Sequence, residues 1–496
     1  MVIKHRTFFL RNIILFLLVF VFFLPAAKSY AQEEYANPDY EAMSYMLIET
    51  GSGQVLAQHD ADRRIYPAST TKLMVALLLM EKKGLDGETT VGTEINGLPT
   101  GSSLMRIEVG EKISIKDLFY GLMLCSGNDA ACTIGTYISG SVNDFMALMN
   151  QRAAELGMTN THFVNPYGAF LNQDEANSVP QDQLGINHYT TASDMAKLVR
   201  EVSKYPEILE AGNAASYMLA ATNRHEEERE IINSNPLIHT LKNHPELDRF
   251  YYPDATGLKT GTVNNIVLNG TTISSYGNVV ATASRNGLSL AALIFDDESE
   301  NTFDDYTLRS YQRWELAAEL FDYGFENFSW VDPAPYIDTV SLTRPAAQDT
   351  NGVSQEGEFE ISSQGGAAPE KKLIDSATAQ ALESGTIKVE QSIEVGDTLQ
   401  PYVKVGDSVG TVTYTLNGSP VYEADLVVTG RLQGEQSAAP QPEQQTGSPK
   451  NDTVTPDWLI WVIIPAAAVG ALFAVRQINL YRRRRRRRRR YRGTGL

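Results

Sequence analysis

The 496-residue chain sets 42 Lys and Arg against 60 Asp and Glu, a formal net charge of −18. So acidic a body excludes nucleic-acid binding by the folded part of the molecule. Two cysteines, Cys125 and Cys132, exclude a disulfide framework. If both sit on one helix they lie about 10 Å apart along it, too far for a bridge, so they read as buried apolar residues with no metal site.

The first 31 residues have the pattern of a secretory signal. Lys4, Arg6 and Arg11 give a basic start, residues 12–24 are almost unbroken apolar, and Ser29-Tyr30-Ala31 offers a small-x-small site, so cleavage is expected after Ala31. The remainder is long enough for two domains. The first, residues 32–332, opens on a hairpin of residues 44–49 and 54–57 around Thr50-Gly51-Ser52-Gly53. Residues 73–80 are apolar all round and predict a buried helix. Helical material continues over 115–124 and 142–156. Strands return at 279–284 and 288–295, joined by the hairpin turn Arg285-Asn286-Gly287. A helix over 310–323 closes the domain. Strand pair, helices, strand pair and helix predict the α+β class, an antiparallel sheet covered by helices.

Residues 333–432 read as a small all-β domain, with strands at 386–394, 398–404, 409–416 and 421–428 separated by Gly-Asp and Asn-Gly turns, and a loop over 346–372. Residues 433–456 are a Gln-, Pro-, Ser- and Thr-rich flexible linker. Trp458 to Val475 is an 18-residue apolar run without a charge, so a transmembrane helix is expected over 457–475. Arg476, the unbroken run Arg482 to Arg490, and Arg492 follow it. Alone, such a run would point to nucleic acid. Behind an apolar segment, it predicts a cytoplasmic tail over 476–496 under the positive-inside rule, drawn to anionic lipid. The expectation is a single-pass cell-membrane protein with its bulk outside.

Three motifs in the first domain carry chemistry. Ser69-Thr70-Thr71-Lys72 comes just before the apolar helix, so Ser69 meets a helix N-terminus, where unpaired N–H groups favour developing negative charge. Lys72, three residues on, can set its amine beside the Ser69 hydroxyl. It can act as a base only if burial and a neighbouring cation lower its pKa, and Lys259 could supply that charge. An N-cap is the plainer role for Ser69. Ser126-Gly127-Asn128 offers a hydroxyl to relay a proton and an amide to hold a peptide backbone, and is also good turn chemistry. Lys259-Thr260-Gly261-Thr262 reads as an edge strand that a substrate approaches closely, with side chains suited to a free carboxylate. The N–H groups of Ser69 and Thr262 are candidates for an oxyanion hole.

The motifs together, in this order, resemble the active-site set of penicillin-binding proteins and serine β-lactamases. Within that class the chain resembles the D-alanyl-D-alanine carboxypeptidases of peptidase family S11. Gly101-Ser102-Ser103-Leu104-Met105, Leu124 to Ala131, Phe163-Val164-Asn165-Pro166, Thr191 to Met195 and Asp322-Tyr323-Gly324-Phe325 carry the likeness further. The resemblance implies a penicillin-binding/β-lactamase-like fold, with Ser69, Lys72 and Ser126 catalytic and Asn128, Lys259, Thr260, Gly261, Thr262 and Arg313 binding substrate. It implies a peptidoglycan stem ending in D-Ala-D-Ala as substrate, β-lactams as inhibitors, and no cofactor or metal.

Three departures stand out: Tyr167 where the family usually has a histidine, and long stretches at 173–187 and 263–276. A β-lactamase of the class A type would resemble Glu-x-x-x-Asn between the second and third motifs, and Glu175-Ala176-Asn177 has the wrong spacing. A Ser-His-Asp hydrolase needs a catalytic histidine; His59, His162, His188, His225, His239 and His244 lie in no recognisable signature.

Overall fold

The computed structural model describes residues 43–99, 101–168, 188–240, 245–263, 266–268, 271–273, 276–296, 306–348, 358–364 and 369–432. The expected signal, linker, membrane segment and basic tail lie outside these residues, as do residues 173–187 with Glu175 and Asn177. Among the described residues no helix is long and apolar enough to cross a membrane.

Alternation of side chains along five strands explains the first architecture. The strands run Val55–His59, Met43–Glu49, Leu288–Asp296, Tyr276–Arg285 and Ala255–Val263 in spatial order, each pair antiparallel. Met46, Ile48, Val280, Leu293 and Phe295 point into one core, while Tyr45, Leu47, Val279, Ala292 and Ile294 point into another. A period of two thus makes the sheet apolar on both faces, and each face needs a cover. Helices Lys72–Lys82, Ile115–Met123, Asn128–Ser139, Val142–Glu155 and Ala192–Val202 share the first core, and the long helix Tyr306–Asn327 covers the second. The helix Lys72–Lys82 runs through the middle, with Leu73 to Leu79 fully buried. Asn286 and Gly287 both have positive φ, the geometry of a tight two-residue hairpin.

The helix Asn128–Ser139 was not expected from sequence: its Gly, Thr and Cys content is poor helix material, and tertiary burial decides it. The long stretch after the Lys-Thr-Gly strand contains paired strands Ile266–Leu268 and Thr271–Ile273, which prolong the hairpin.

A second five-stranded antiparallel sheet has the order Ser341–Pro345, Glu358–Gln364, Ser419–Leu432, Ser408–Leu416, Glu390–Val395, around its own core of Phe359, Ile361, Val412, Tyr414 and Leu426. Three expectations need correction here. The region is not all-β, because helix Ser376–Glu383 lies within it, its first turn capped by the Asp375 carboxylate accepting from Thr378 N. The loop expected over 346–372 contains a central strand whose only large apolar residues, Phe359 and Ile361, alternate inward. The strand expected at 398–404 is absent: Leu399 makes one bridge to Ala346, Pro401 lacks an N–H, and Tyr402 has φ +64°. Strand Phe328–Val331, which follows directly on the helix Tyr306–Asn327, pairs with Lys372–Asp375 in a separate two-stranded sheet.

Candidate active site

Ser69 lies in a single 3-10 turn, Ala68–Thr71, that leads into the helix Lys72–Lys82. It is therefore not an N-cap; Thr71 occupies that position. The turn is held from three sides. Thr70 Oγ1 donates to Pro67 O at 2.7 Å, and Asn278 Nδ2 donates to Tyr66 O at 2.8 Å. Gly168, at φ +73°, packs so closely that a Cβ there would stand 1.8 Å from Ala68 O. Any other residue would push the turn away. Ala68 itself has φ +49°, a conformation that costs energy for a residue with a Cβ and is retained at the bend that presents Ser69.

Lys72 is fully buried, and its Nζ donates to Ser69 Oγ at 2.8 Å, Asn128 Oδ1 at 2.8 Å and Tyr167 O at 2.9 Å. Three acceptors saturate an ammonium; a neutral amine with two hydrogens would instead accept from the serine hydroxyl. Burial holds the amine well below its ordinary lysine pKa, and the charge of Lys259 acts in the same direction, against the weaker opposing influence of Cys132, Cys125 and Asp129. Burial plus a neighbouring cation is the combination that chemistry at a lysine base requires.

The second motif forms the facing wall. Ser126 has φ +58° and its buried Oγ has no hydrogen-bond partner among the described residues. Asn128 opens the next helix, and its Oδ1 is engaged by Lys72, which leaves the amide nitrogen for a ligand. Cys125 is half-buried, its thiol pushed up to about 11 by burial, and Cys132 is buried on the same helix as Asn128; both are free thiols.

The third motif lies on the strand Ala255–Val263, which is the edge of its sheet among the described residues. Lys259 is 1% exposed, donates to Thr260 O at 2.9 Å, and burial lowers its pKa to about 7, Arg313 acting the same way. A Cβ at Gly261 would meet both Ala68 Cβ and Pro67 O at 3.3 Å, so glycine lets this strand lie against the serine turn. Arg313 comes from the helix Tyr306–Asn327: its Nη1 donates to Gly261 O at 2.7 Å and stands 3.4 Å from Thr262 Oγ1. The structure joins Lys72 to Ser69 and Asn128, sets Gly261 of the third motif against the serine turn, and ties Arg313 to Gly261 and Thr262 on the edge strand. Ser126 is placed by its neighbour Asn128 and makes no hydrogen bond to the others among the described residues.

Three contributors were missed. The carbonyl of Tyr167 takes a Lys72 hydrogen bond because Asn165 Oδ1 accepts from the N–H groups of Tyr167 and Gly168 and turns the chain. Ser234 Oγ pairs with Thr260 Oγ1 at 2.8 Å. His188 lies behind the serine turn: its Nδ1 accepts from Val164 N at 3.3 Å, so Nε2 carries the proton and donates to Thr71 Oγ1 at 3.0 Å.

Burial lowers His188 from 6.5 to about 3, with His162 adding to the effect. Between these values the unfolded chain binds a proton that the native state refuses. Stability is therefore fully present above pH 6.5 and falls as the pH drops toward 3, by an amount on the order of a few kcal/mol. The expected result is a melting temperature that declines over this window, with a shallower decline in a His188→Gln variant. Equal slopes in the two proteins would contradict it.

Comparison with known proteins bears on the family and the fold. A family profile described as D-alanyl-D-alanine carboxypeptidase matches residues 31–299. The D-alanyl-D-alanine carboxypeptidase DacF of Bacillus subtilis is 33% identical over 248 residues, 49% of this chain and 57% of that relative's length. DacC of Escherichia coli, of the same description, is 26% identical over 417 residues, 82% of this chain and 88% of its own. The crystal structure of D-alanyl-D-alanine carboxypeptidase DacD from Francisella tularensis aligns with TM-score 0.54 at 21% identity, over 83% of this chain and 100% of that one. Penicillin binding protein 5 from Haemophilus influenzae aligns with TM-score 0.52 at 22% identity, over 80% and 98%. At such identities the two structures establish the fold alone, a penicillin-binding-protein-like α+β arrangement. On the profile match across more than half its length, the chain belongs to the D-alanyl-D-alanine carboxypeptidase family, peptidase family S11.

Proposed function

We propose that this protein is a serine D-alanyl-D-alanine carboxypeptidase that trims the terminal D-Ala from peptidoglycan stem peptides and is acylated by penicillins. The observation that carries the reading is the 2.8 Å contact between Ser69 Oγ and a fully buried Lys72 whose pKa is lowered. Lys72 takes the hydroxyl proton as Ser69 Oγ attacks the carbonyl carbon of the D-Ala-D-Ala bond. The N–H groups of Ser69 and Thr262 receive the oxyanion. As the C–N bond breaks, the proton passes through Ser126 to the leaving amine, and free D-Ala departs. Water then attacks the ester carbonyl and gives a proton to Lys72; as the ester C–O bond breaks, Lys72 passes that proton to Ser69 Oγ, and the shortened stem leaves with its new carboxyl group. Lys259 and Thr260 hold the substrate's terminal carboxylate, Gly261 admits its backbone, Asn128 Nδ2 binds its peptide carbonyl, and Arg313 braces the strand through Gly261 O. A direct test is mass spectrometry of the protein after exposure to penicillin. An adduct on the peptide containing Ser69 is expected, and an adduct elsewhere refutes the assignment.

Residues 32–332 carry the reaction in this reading, 333–432 form a stalk, and 457–475 cross the membrane with the arginines on the cytoplasmic side. The 18-residue apolar run and the basic block behind it support this arrangement. Expressed in bacteria, the full chain is expected in the membrane fraction, and a chain ending at residue 455 in the soluble periplasmic or secreted fraction. A full chain released by salt alone would refute the span.

A further inference from the structure

The segment 103–107 lies across the second motif and is gripped along both edges. Ser103 O accepts from Asn128 N at 2.8 Å. The Asp129 carboxylate accepts from the N–H groups of Met105, Arg106 and Ile107 at 3.1, 2.9 and 3.3 Å. Arg106 has φ +63°, which turns successive N–H groups toward one anion and makes a nest for that carboxylate. The carbonyls of Met105 and Arg106 are held by a different residue: Arg229 Nη1 donates to them at 3.3 and 3.0 Å.

Arg229 is itself anchored. Its Nη2 stands 3.5 Å from Oε1 of Glu111, which is fully buried. Glu111 also accepts from Thr222 Oγ1 at 2.9 Å and Glu108 N at 2.8 Å, with His225 Nε2 3.6 Å away. The strand that bears Arg229, Arg229–Ile232, runs directly into Asn233 and Ser234. Ser234 binds the third motif through Thr260 Oγ1, and its N–H donates to Leu124 O at 3.2 Å. The Arg229 guanidinium therefore adds, beside the direct Ser234 N–Leu124 O bond, a second link between the wall carrying Ser126 and Asn128 and the wall carrying Lys259 and Thr260.

We propose that Arg229, anchored by Glu111, is a positioning residue that fixes the separation and register of the two walls of the catalytic cleft. The planar guanidinium donates to both carbonyls through Nη1 while its Nη2 stays within ion-pair distance of Glu111, an arrangement that the compact, strongly hydrated ammonium of lysine on its flexible stem does not reproduce. Arg229 acts through the segment 103–107 and not on the reacting atoms. The inference rests on the acyl-transfer reading above, in which Ser126 and Asn128 work during bond making and breaking.

The test uses the full-length protein in detergent, with labelled penicillin to measure the acylation rate and a D-Ala-D-Ala pentapeptide to measure kcat and KM. Three variants are compared with the parent: Arg229→Lys, Arg229→Met, and Arg229→Met combined with Glu111→Leu. The double variant leaves no unpaired buried charge and is expected to keep its melting midpoint. It and Arg229→Lys are expected to lose about tenfold or more in acylation rate and in kcat, with KM little changed, because small misplacements of catalytic groups are costly. A folded double variant, or an Arg229→Lys variant, that acylates within about twofold of the parent overturns the proposal. Should the double variant not fold, Arg229→Lys decides alone. A parent that penicillin never labels overturns the acyl-transfer reading, and this inference with it; a labelled parent with unchanged variants overturns the inference alone.

Discussion

Replacing Ser69 with alanine is expected to abolish both D-Ala release and covalent labelling by penicillin, a loss of ~10⁴-fold or more, as deleting a serine nucleophile does in other hydrolases. The fold should survive. Lys72 loses one of three hydrogen-bond partners and keeps Asn128 Oδ1 and Tyr167 O. The 3-10 turn is held by Thr70, Asn278 and the close approach of Gly168, none of which involves the hydroxyl. Circular dichroism and the melting midpoint should therefore match those of the parent. Either activity persisting in this variant would remove Ser69 from the mechanism.

Lys72→Met is expected to have the second-largest effect, a fall of ~10²–10⁴-fold in acylation by penicillin and in kcat for peptide, the range over which a positioned acid–base group contributes. Methionine fills much of the same buried volume, so packing is largely kept, but three acceptors lose their donor. Some destabilisation is expected for that reason, since buried oxygens are left unsatisfied. The pH profile separates the two effects. In the parent, acylation should rise with pH through the lowered pKa of Lys72, on the acid side of an ordinary lysine, because only the neutral amine accepts the serine proton. In Lys72→Met that limb should vanish. A variant that keeps the parent's acid limb would show that some other group is the base.

How much of this site could be read in advance depends on which atoms do the work. Ser69, Lys72, Ser126, Asn128 and Lys259 contribute side-chain atoms whose chemistry demands particular residue types, so their spacing is visible in one sequence. Gly261 is visible for a related reason: the strand must touch the serine turn, and a Cβ there would crowd Ala68 and Pro67. Tyr167 contributes a backbone carbonyl, which every residue possesses, and only the neighbouring Asn165 and Gly168 betray the turn that aims it. His188, Ser234 and Arg229 act across 117, 26 and more than 120 positions of sequence, respectively, and carry no local pattern. Long-range pairing is what a motif cannot encode.

The fold follows the same division. The Asn286-Gly287 hairpin and the buried helix after Ser69 declare themselves through turn chemistry and continuous apolar sequence. The strand Glu358–Gln364 hides in a polar stretch because only Phe359 and Ile361 face its core, while its position between two other strands supplies the pairing. Residues 398–404 look like a strand by composition, yet Pro401 and the left-handed Tyr402 deny them a ladder.

The central claim is catalytic turnover at Ser69, and free D-Ala measured against time addresses it most directly. The full-length protein, incubated with excess pentapeptide ending in D-Ala-D-Ala, is predicted to release D-Ala far beyond its own molar amount, and the Ser69→Ala variant to release none. Release that stops at one equivalent, or no release while penicillin still labels Ser69, would contradict the account and make the protein an acylated receptor for such ligands.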